Sequence, residues 1–149
     1  MSQHIFFLNG PNANLYGMDK SGTYGRESFA TIGERCQQRA QSHGIGLQFR
    51  QSNHEGVLVD WIQEARQQAD GMIINAAGLT YSSVPILDAL LMFDGPIIEV
   101  HMSNIWQRES FRHHSMVSKA ATGVVAGLGV QGYELAIDAL VALIRTDNR

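Results

Sequence analysis

The chain has little of what marks secreted or membrane proteins. Of its 149 residues one is cysteine, Cys36, so the chain can form no internal disulfide and no cysteine-based zinc site. No apolar run reaches the ~18 residues of a membrane span. The N-terminal residues MSQH lead directly into a short apolar run, without the basic and long apolar regions of a signal peptide. These absences predict a soluble cytoplasmic protein with no membrane partner.

The sequence also lacks an excess of positive charge. It carries 11 Lys and Arg against 14 Asp and Glu, a net charge of −3, and the basic residues are scattered. A nucleic-acid partner would require a clustered basic face, so we expect none. The composition, 44% hydrophobic and 17% charged, is typical of a globular protein, and the length predicts a single domain over residues 1–149.

Short apolar runs alternate along the chain with amphipathic stretches. The runs that we interpret as strands are residues 4–8, 45–50, 71–75, 96–100 and 122–126. The stretches with helical spacing are residues 28–42, 57–65, 84–91 and 133–144, and we expect the last three residues, 147–149, to fray. Gly44 is the predicted C-cap of the first helix and Asn53 the predicted N-cap of the second. This alternation predicts an α/β protein, a flavodoxin-like three-layer sandwich with a five-stranded parallel sheet in the order 2-1-3-4-5.

Polar side chains follow four of the five predicted strands. They lie in residues 9–14, 51–55 and 99–104 and at Asn75. In open parallel sheets, ligands bind beyond the carboxyl ends of the strands, near the switch in strand order. The pattern therefore predicts a site at that edge, although polar residues are common in loops for other reasons.

Two common cofactor motifs are not supported. Residues 127–132 read GLGVQG, a G-x-G-x-x-G pattern, but no further strand follows to supply a ribose-binding acid. We interpret these glycines as a tight turn between a strand and a helix. His113 and His114 are adjacent and would point in different directions, and no His pair has the spacing of a helical metal site. We therefore expect neither a metal nor a nucleotide cofactor.

Residues 12–25, the lid segment, form a long stretch without a strand or helix pattern. The segment contains Gly17, Gly22 and Gly25 together with two tyrosines, of which Tyr24 precedes the last glycine. Loops longer than ~12 residues are usually lids or binding loops. Glycines around a polar aromatic ring suit a lid that brings a phenol over a ligand, and the alternative is that Tyr24 only packs the loop.

Five ordered motifs resemble those of the type II 3-dehydroquinate dehydratases. They are LNGPNANL at 8–15, YG at 24–25, QSNHEG at 51–56, EVHMSN at 99–104 and RESFR at 108–112, with Ser115, Ser118, Gly132, Tyr133, Leu135 and Ala136 continuing the series. The resemblance runs from about residue 5 to residue 143. It implies a flavodoxin-like subunit, a homododecamer of four trimers, and a cofactor-free anti elimination of water from 3-dehydroquinate that gives 3-dehydroshikimate through an enolate.

The resemblance also implies catalytic roles. Tyr24 matches the base that removes the C2 proton beside the ketone, and Asn12 would help to hold the enolate oxygen through a water. His101 would protonate the departing C1 hydroxyl, oriented by Glu99. Imidazole suits that step because it titrates near neutral pH, and the enolate needs preorganised hydrogen-bond donors.

Further residues would bind the substrate. Asn75 and the backbone at Met102 and Ser103 would hold the carboxylate region, and Arg112 would bind a ring hydroxyl. Asp88 would enter the site from a neighbouring subunit.

The sequence departs from the family pattern in the lid segment. Residues 16–21 read YGMDKS where the family typically has L-G-x-R-E-P, so Asp19 occupies the position of an arginine. A phenol with its usual pKa of ~10 is ionised in only about one molecule in a thousand at pH 7, so a tyrosine base needs a nearby cation. Lys20 and Arg108 are the candidates.

Two more departures concern the third strand's loop. Residues 80–83 read TYSS instead of T-H-T-S, so Tyr81 replaces a substrate-binding histidine, and Ala76 and Ala77 lie where a proline- or glycine-containing turn is usual. Three interpretations remain at this point: a working dehydratase, a paralogue that acts on a related cyclic hydroxy acid, and a binding or regulatory homologue. The sequence also leaves open whether the reaction serves aromatic amino acid biosynthesis by the shikimate pathway or quinate catabolism.

Overall fold

The computed structural model describes residues 2–147. Within this range the strands are β1 His4–Asn9, β2 Gly46–Gln51, β3 Gly71–Asn75, β4 Ile97–His101 and β5 Gly123–Ala126. The helices are α1 Phe29–Ser42, α2 Glu55–Gln68, α3 Val84–Leu91 and α4 Gly129–Asp147. All strand pairs are parallel, in the order β2-β1-β3-β4-β5, which confirms the predicted flavodoxin-like sheet. Of the three residues expected to fray, Asp147 ends α4, and residues 148 and 149 lie outside the described residues.

The three central strands β1, β3 and β4 are buried on both faces, and successive strand residues face opposite layers. In β1, Ile5 and Phe7 pack with the side of the core that contains α1 and α4, whereas Phe6 and Leu8 pack with the side that contains α2 and α3. This follows from the alternation of side chains along a strand and explains why the central strands are continuously apolar. No helix within residues 2–147 is long and apolar enough to cross a membrane.

The first helix ends at residue 42 as predicted, but its C-cap is His43, one position before the predicted Gly44. Ser28 caps α1 by accepting a hydrogen bond from the Thr31 amide at 3.1 Å, and Gly44, with a φ of +68°, follows the end of that helix. The prediction that Asn53 caps α2 is wrong, because the cap residue is His54. The Asn53 Oδ1 instead accepts a hydrogen bond from the Asn12 amide at 2.9 Å, so it links the loops that follow β1 and β2.

The last helix begins earlier than predicted, at Gly129 instead of Tyr133. Gly127 and Gly129 have φ angles of +88° and +59°, which L side chains rarely adopt, and they turn the chain directly from β5 into α4. The interpretation of this glycine motif as a tight strand-to-helix turn is therefore confirmed.

The loops after β1 and β3 meet closely at the carboxyl edge of the sheet. The Gly10 amide donates to the Asn75 carbonyl at 2.8 Å, and a Cβ on Gly10 would lie 2.5 Å from the Ala76 carbonyl oxygen. Asn12 and Ala77 have φ angles of 73° and 53°, so two non-glycine residues adopt the left-handed region on either side of this contact. Such strain clusters at functional sites, where the surrounding structure enforces it.

Candidate active site

A cavity opens at this edge, beyond the ends of β1, β3 and β4. Its wall is formed by Pro11, Asn12, Tyr16, Tyr24, Asn75, Ala77, Gly78, Tyr81, His101, Met102, Ser103, Ile105, Arg108 and Arg112. Most of the residues predicted for the site are among them. The other predicted residues, Glu99, Asp88, Asp19 and Lys20, do not line this cavity.

Tyr24 lies next to a cation. The Arg108 Nη1 donates hydrogen bonds to the Tyr24 hydroxyl and to the Ser103 hydroxyl, both at 3.1 Å. Arg108 directly follows a short 3-10 helix, Ile105–Gln107, which brings its guanidinium over the cavity. A positive charge at hydrogen-bond distance favours the phenolate form of a tyrosine. Of the two cations that the sequence offered, Arg108 is the one in contact with Tyr24.

The Asp19 side chain forms hydrogen bonds within the lid segment itself. Its carboxylate accepts hydrogen bonds from the Ser21 amide at 3.1 Å and from the Ser21 hydroxyl at 2.5 Å, and that hydroxyl also contacts the Thr23 hydroxyl at 2.7 Å. These hydrogen bonds, led by the one from the Ser21 side chain, lower the pKa of the Asp19 carboxyl. The carboxylate is therefore hydrogen-bonded within the loop; the charge of Arg108 also lowers its pKa, and Arg108 is the charged group in contact with Tyr24.

The lid segment is more ordered than its sequence predicted. Ala13–Leu15 form a 3-10 helix, and the loop after it closes on itself. At Gly17, with a φ of +88°, a Cβ would lie 2.6 Å from the Glu27 carbonyl oxygen. The loop between Gly17 and Glu27 thus begins and ends at nearly the same point.

His101 and Glu99 form a buried pair at the end of β4. The Glu99 Oε2 lies 2.5 Å from the His101 Nε2 and 2.8 Å from the Ser115 hydroxyl, and the Ser118 hydroxyl donates to Oε1. Burial alone would raise the pKa of Glu99, but these hydrogen bonds and the charge of His101 hold it below its usual value. Since Nε2 faces Glu99, Nδ1 is the imidazole nitrogen available to a ligand in the cavity. The sequence placed Ser115 and Ser118 in the family series but did not identify this role.

Tyr81 and Arg112 form the wall beside the imidazole. The Tyr81 ring stacks on His101, with centroids 6.2 Å apart and planes at 18°, and the Arg112 Cζ lies 5.5 Å from the Tyr81 ring centroid. Burial raises the pKa of Tyr81, although Arg112 opposes this shift. Tyr81 therefore presents a neutral hydrogen-bonding ring to the cavity. Asp88 is exposed on α3, away from this wall.

Asn75 lies at the centre of a buried network. Its Nδ2 donates to the Tyr16 hydroxyl at 2.8 Å and to the Tyr133 hydroxyl at 2.7 Å, and its Oδ1 accepts from the Ala77 amide at 3.1 Å. The Tyr133 hydroxyl donates onward to the Asn9 Oδ1 at 2.8 Å. Sequence reasoning missed Tyr16, although the presence of two tyrosines in the lid segment was a signal for it.

The cavity thus places a phenol with a guanidinium on one side and an imidazole with a carboxylate on the other. These two pairs can remove a proton from one position of a bound molecule and deliver a proton to another. Among residues 2–147, no group of three or more His, Cys, Asp and Glu side chains is placed to hold a metal ion.

Known proteins with similar sequences are dehydratases. The family model described as Dehydroquinase class II matches residues 3–141. A 3-dehydroquinate dehydratase of Cereibacter sphaeroides is 51% identical over 143 residues, which cover 96% of this chain and 97% of the relative. A 3-dehydroquinate dehydratase of Streptomyces coelicolor is 54% identical over 140 residues, which cover 93% of this chain and 89% of the relative.

Solved structures share the fold. The type II dehydroquinase of Butyrivibrio crossotus superposes with a TM-score of 0.91 at 38% identity, covering 93% of this chain and 97% of that one. A 3-dehydroquinate dehydratase-like protein of Bifidobacterium longum superposes with a TM-score of 0.73 at 27% identity, covering 96% and 98%. Because the family model and these relatives match along nearly the whole sequence, the chain belongs to the class II dehydroquinase family.

Proposed function

We propose that this chain is a 3-dehydroquinate dehydratase that uses Tyr24 as base and His101 as acid. Curated relatives of that name are 51% and 54% identical over 96% and 93% of the chain, which supports the reaction. Membership of the family associates the chain with the shikimate pathway. The same matches support one domain over residues 1–149.

The first step is proton removal. Tyr24, ionised beside Arg108, takes the C2 proton of the substrate, and the electron pair of that bond forms the enolate with the C3 ketone. Asn12, on the cavity wall, stabilises the enolate oxygen through a water. Preorganised donors at a developing oxyanion are usually the largest electrostatic contribution to such a step.

The second step is loss of the C1 hydroxyl. As the enolate returns its electron pair to form the C1–C2 double bond, His101 gives a proton to the departing hydroxyl, which leaves as water. The buried Glu99 carboxylate orients the imidazole and stabilises its protonated form. The proton on Tyr24 and the proton missing from His101 are then exchanged with water, so the enzyme returns to its starting state.

The remaining wall residues hold the substrate. The backbone at Met102 and Ser103 binds the carboxylate region, and Asn75 supports that end of the site through its hydrogen bonds to Tyr16, Tyr133 and Ala77, while Arg112 and Tyr81 face the ring hydroxyls. Their common location on the cavity wall supports these roles.

The proposal includes a dodecamer of four trimers in which Asp88 reaches a neighbouring site. Asp88 lies outside the cavity of its own subunit, on α3. Leu91 and Met92 at the end of that helix are 58% and 59% exposed, an apolar surface that suits a subunit contact.

The single observation that carries the catalytic proposal is the 3.1 Å hydrogen bond from Arg108 to Tyr24. The interpretation as a binding or regulatory homologue depended on Asp19 disabling the base; the Asp19 carboxylate is hydrogen-bonded to Ser21, and the group hydrogen-bonded to the Tyr24 hydroxyl is the Arg108 guanidinium. The comparisons favour neither that interpretation nor a different cyclic substrate.

An assay with 3-dehydroquinate tests the proposal directly. We expect the purified protein to generate the ultraviolet absorbance of the conjugated enone product, and Tyr24→Phe to abolish it. Substrate-induced thermal stabilisation of Tyr24→Phe serves as the control that this variant still folds and binds. If the wild-type protein is stabilised by 3-dehydroquinate but produces no absorbance, the chain binds this molecule without dehydrating it.

A further inference from the structure

Tyr16 is a wall residue for which the proposed reaction has no role. It is 5% exposed, and its ring stacks on that of Tyr24, with centroids 4.9 Å apart and planes at 22°. Its hydroxyl oxygen accepts a hydrogen bond from the Asn75 Nδ2 at 2.8 Å. Tyr16 therefore contacts both the base and the amide that the sequence assigned to substrate binding.

The directions of the hydrogen bonds around Asn75 are fixed by chemistry. An amide nitrogen carries two hydrogens and can only donate, and the Asn75 Nδ2 donates to Tyr16 and Tyr133. The Tyr133 hydroxyl uses its own hydrogen on the Asn9 Oδ1. The network thus consumes both hydrogens of the Asn75 amide, whereas the Tyr16 hydroxyl accepts from Asn75 and can give its own hydrogen either to the Tyr133 oxygen or to a ligand in the cavity.

We propose that Tyr16 is a substrate-binding residue: its hydroxyl, oriented by Asn75, donates a hydrogen bond to an oxygen of the bound substrate, and its ring fixes the plane of Tyr24. Tyr16 thereby donates to the substrate in place of Asn75, whose amide hydrogens are already used in hydrogen bonds to Tyr16 and Tyr133. The inference rests on the proposed dehydratase function and identifies a further residue of the same site.

The two stacked phenols, Tyr16 and Tyr24, have different electrostatic surroundings. Burial raises the pKa of Tyr16 to about 12, and the neighbouring Tyr24 raises it as well, so Tyr16 keeps its proton. The Tyr24 hydroxyl accepts a hydrogen bond from the Arg108 guanidinium at 3.1 Å, a contact that the Tyr16 hydroxyl does not have. A tyrosine that stays neutral is a hydrogen-bond donor, whereas a phenolate can only accept.

Tyr16→Phe tests the donor because it keeps the ring and removes the hydroxyl. Hydrogen bonds to charged groups contribute ~1.5–3 kcal/mol, so we expect KM for 3-dehydroquinate to rise ~10-fold or more. Because the stack is retained, we expect kcat to change less than KM. In Tyr16→Leu the stack is lost too, and kcat should fall as well, since Tyr24 is no longer fixed.

Tyr133→Phe is the matched control. It removes a phenol hydroxyl from the same amide, but Tyr133 is fully buried and is not part of the cavity wall. We expect it to lower Tm more than Tyr16→Phe does, and to raise KM by less.

The outcomes separate the two proposals. A wild-type protein that does not turn over 3-dehydroquinate overturns the proposed function and Tyr16's role with it. Normal wild-type turnover with an unchanged KM in Tyr16→Phe overturns only the role of Tyr16. If Tyr133→Phe raises KM as much as Tyr16→Phe, the effect comes from the orientation of Asn75, and the donor role of Tyr16 is wrong.

Discussion

The contact between Arg108 and Tyr24 gives the sharpest test of the catalytic proposal, through the variant Arg108→Gln. The two groups are 3.1 Å apart, and the Arg108 side chain is 23% exposed. A Coulomb interaction at ~4 Å reaches ~4 kcal/mol at an effective dielectric constant of ~20, and a hydrogen bond to a charged group contributes ~1.5–3 kcal/mol. Because solvent screens part of the charge, we take ~2 kcal/mol, which corresponds to a ~30-fold decrease in kcat/KM.

The assay follows the appearance of the conjugated enone at saturating and limiting 3-dehydroquinate. If the guanidinium assists proton removal, carbon–hydrogen cleavage becomes slower, and the isotope effect with substrate deuterated at C2 should increase in Arg108→Gln. Arg108→Lys keeps the charge but lacks the planar fork that reaches both Tyr24 and Ser103, so its rate should be intermediate.

Lys20→Ala is the matched control, since Lys20 is the other cation that the sequence offered. It does not line the cavity, and we expect its kcat/KM to stay within ~2-fold of the wild-type value, as for most surface substitutions. The reasoning is refuted if Arg108→Gln stays within ~3-fold of wild type, or if Lys20→Ala causes the larger loss.

Three further predictions concern strain, acid stability and the lid segment. Ala77 has a φ of 53°, a conformation that costs an L residue ~1–2 kcal/mol, so Ala77→Gly should raise Tm although glycine adds ~0.4–1 kcal/mol of conformational entropy to the unfolded chain. Ala76 has a φ of −76°, so the control Ala76→Gly should lower Tm. If Ala76→Gly raises Tm and Ala77→Gly lowers it, no strain is stored at Ala77. The hydrogen bond from Arg39 is the main cause that lowers the pKa of the Asp138 carboxyl from its usual 3.8. The ion pair therefore stabilises the fold at pH values above 3.8, and this stabilisation is lost as the pH falls through the pKa of the folded state. Urea unfolding of Asp138→Asn should therefore show a deficit of ~0.5–1 kcal/mol at pH 6 that closes below pH ~3.8, and a deficit unchanged at pH 2 would contradict this. Asp19→Arg removes the carboxylate that orders the loop and should not increase kcat; a gain above ~3-fold would mean that a cation at this position is the missing catalytic group.

The order of strands was predictable because each strand is a separate apolar run closed by polar or glycine residues. Central strands that are buried on both faces need continuous apolar sequence, and residues 71–75 illustrate this. Boundaries were less predictable where two residue types compete for one role. Asn53 is a good helix cap by type, but its side-chain Oδ1 accepts a hydrogen bond from the backbone amide of Asn12, a residue 41 positions away, which no local pattern shows.

The site was predictable as a location and partly as a set of residues. Parallel strands bring their carboxyl ends together, so polar residues after β1, β3 and β4 had to meet. The orientation of Asp19 was not predictable, because it depends on a loop that folds through its own hydroxyl groups. Tyr16 was missed for a related reason: its partner Asn75 lies 59 residues further along the chain, and nothing near Tyr16 in the sequence indicates an amide beneath it.

The close approach of Gly17 to Glu27 has a consequence for how this fold can change. Because residues 17 and 27 lie in contact, the segment between them, residues 18–26, can be replaced without moving the sheet or the helices. Its replacement alters which charges and rings are presented above the pocket while the imidazole and its carboxylate stay in place. The scaffold can therefore acquire new lids by recombination of a short stretch of gene, and chimeras that swap residues 18–26 between relatives should fold.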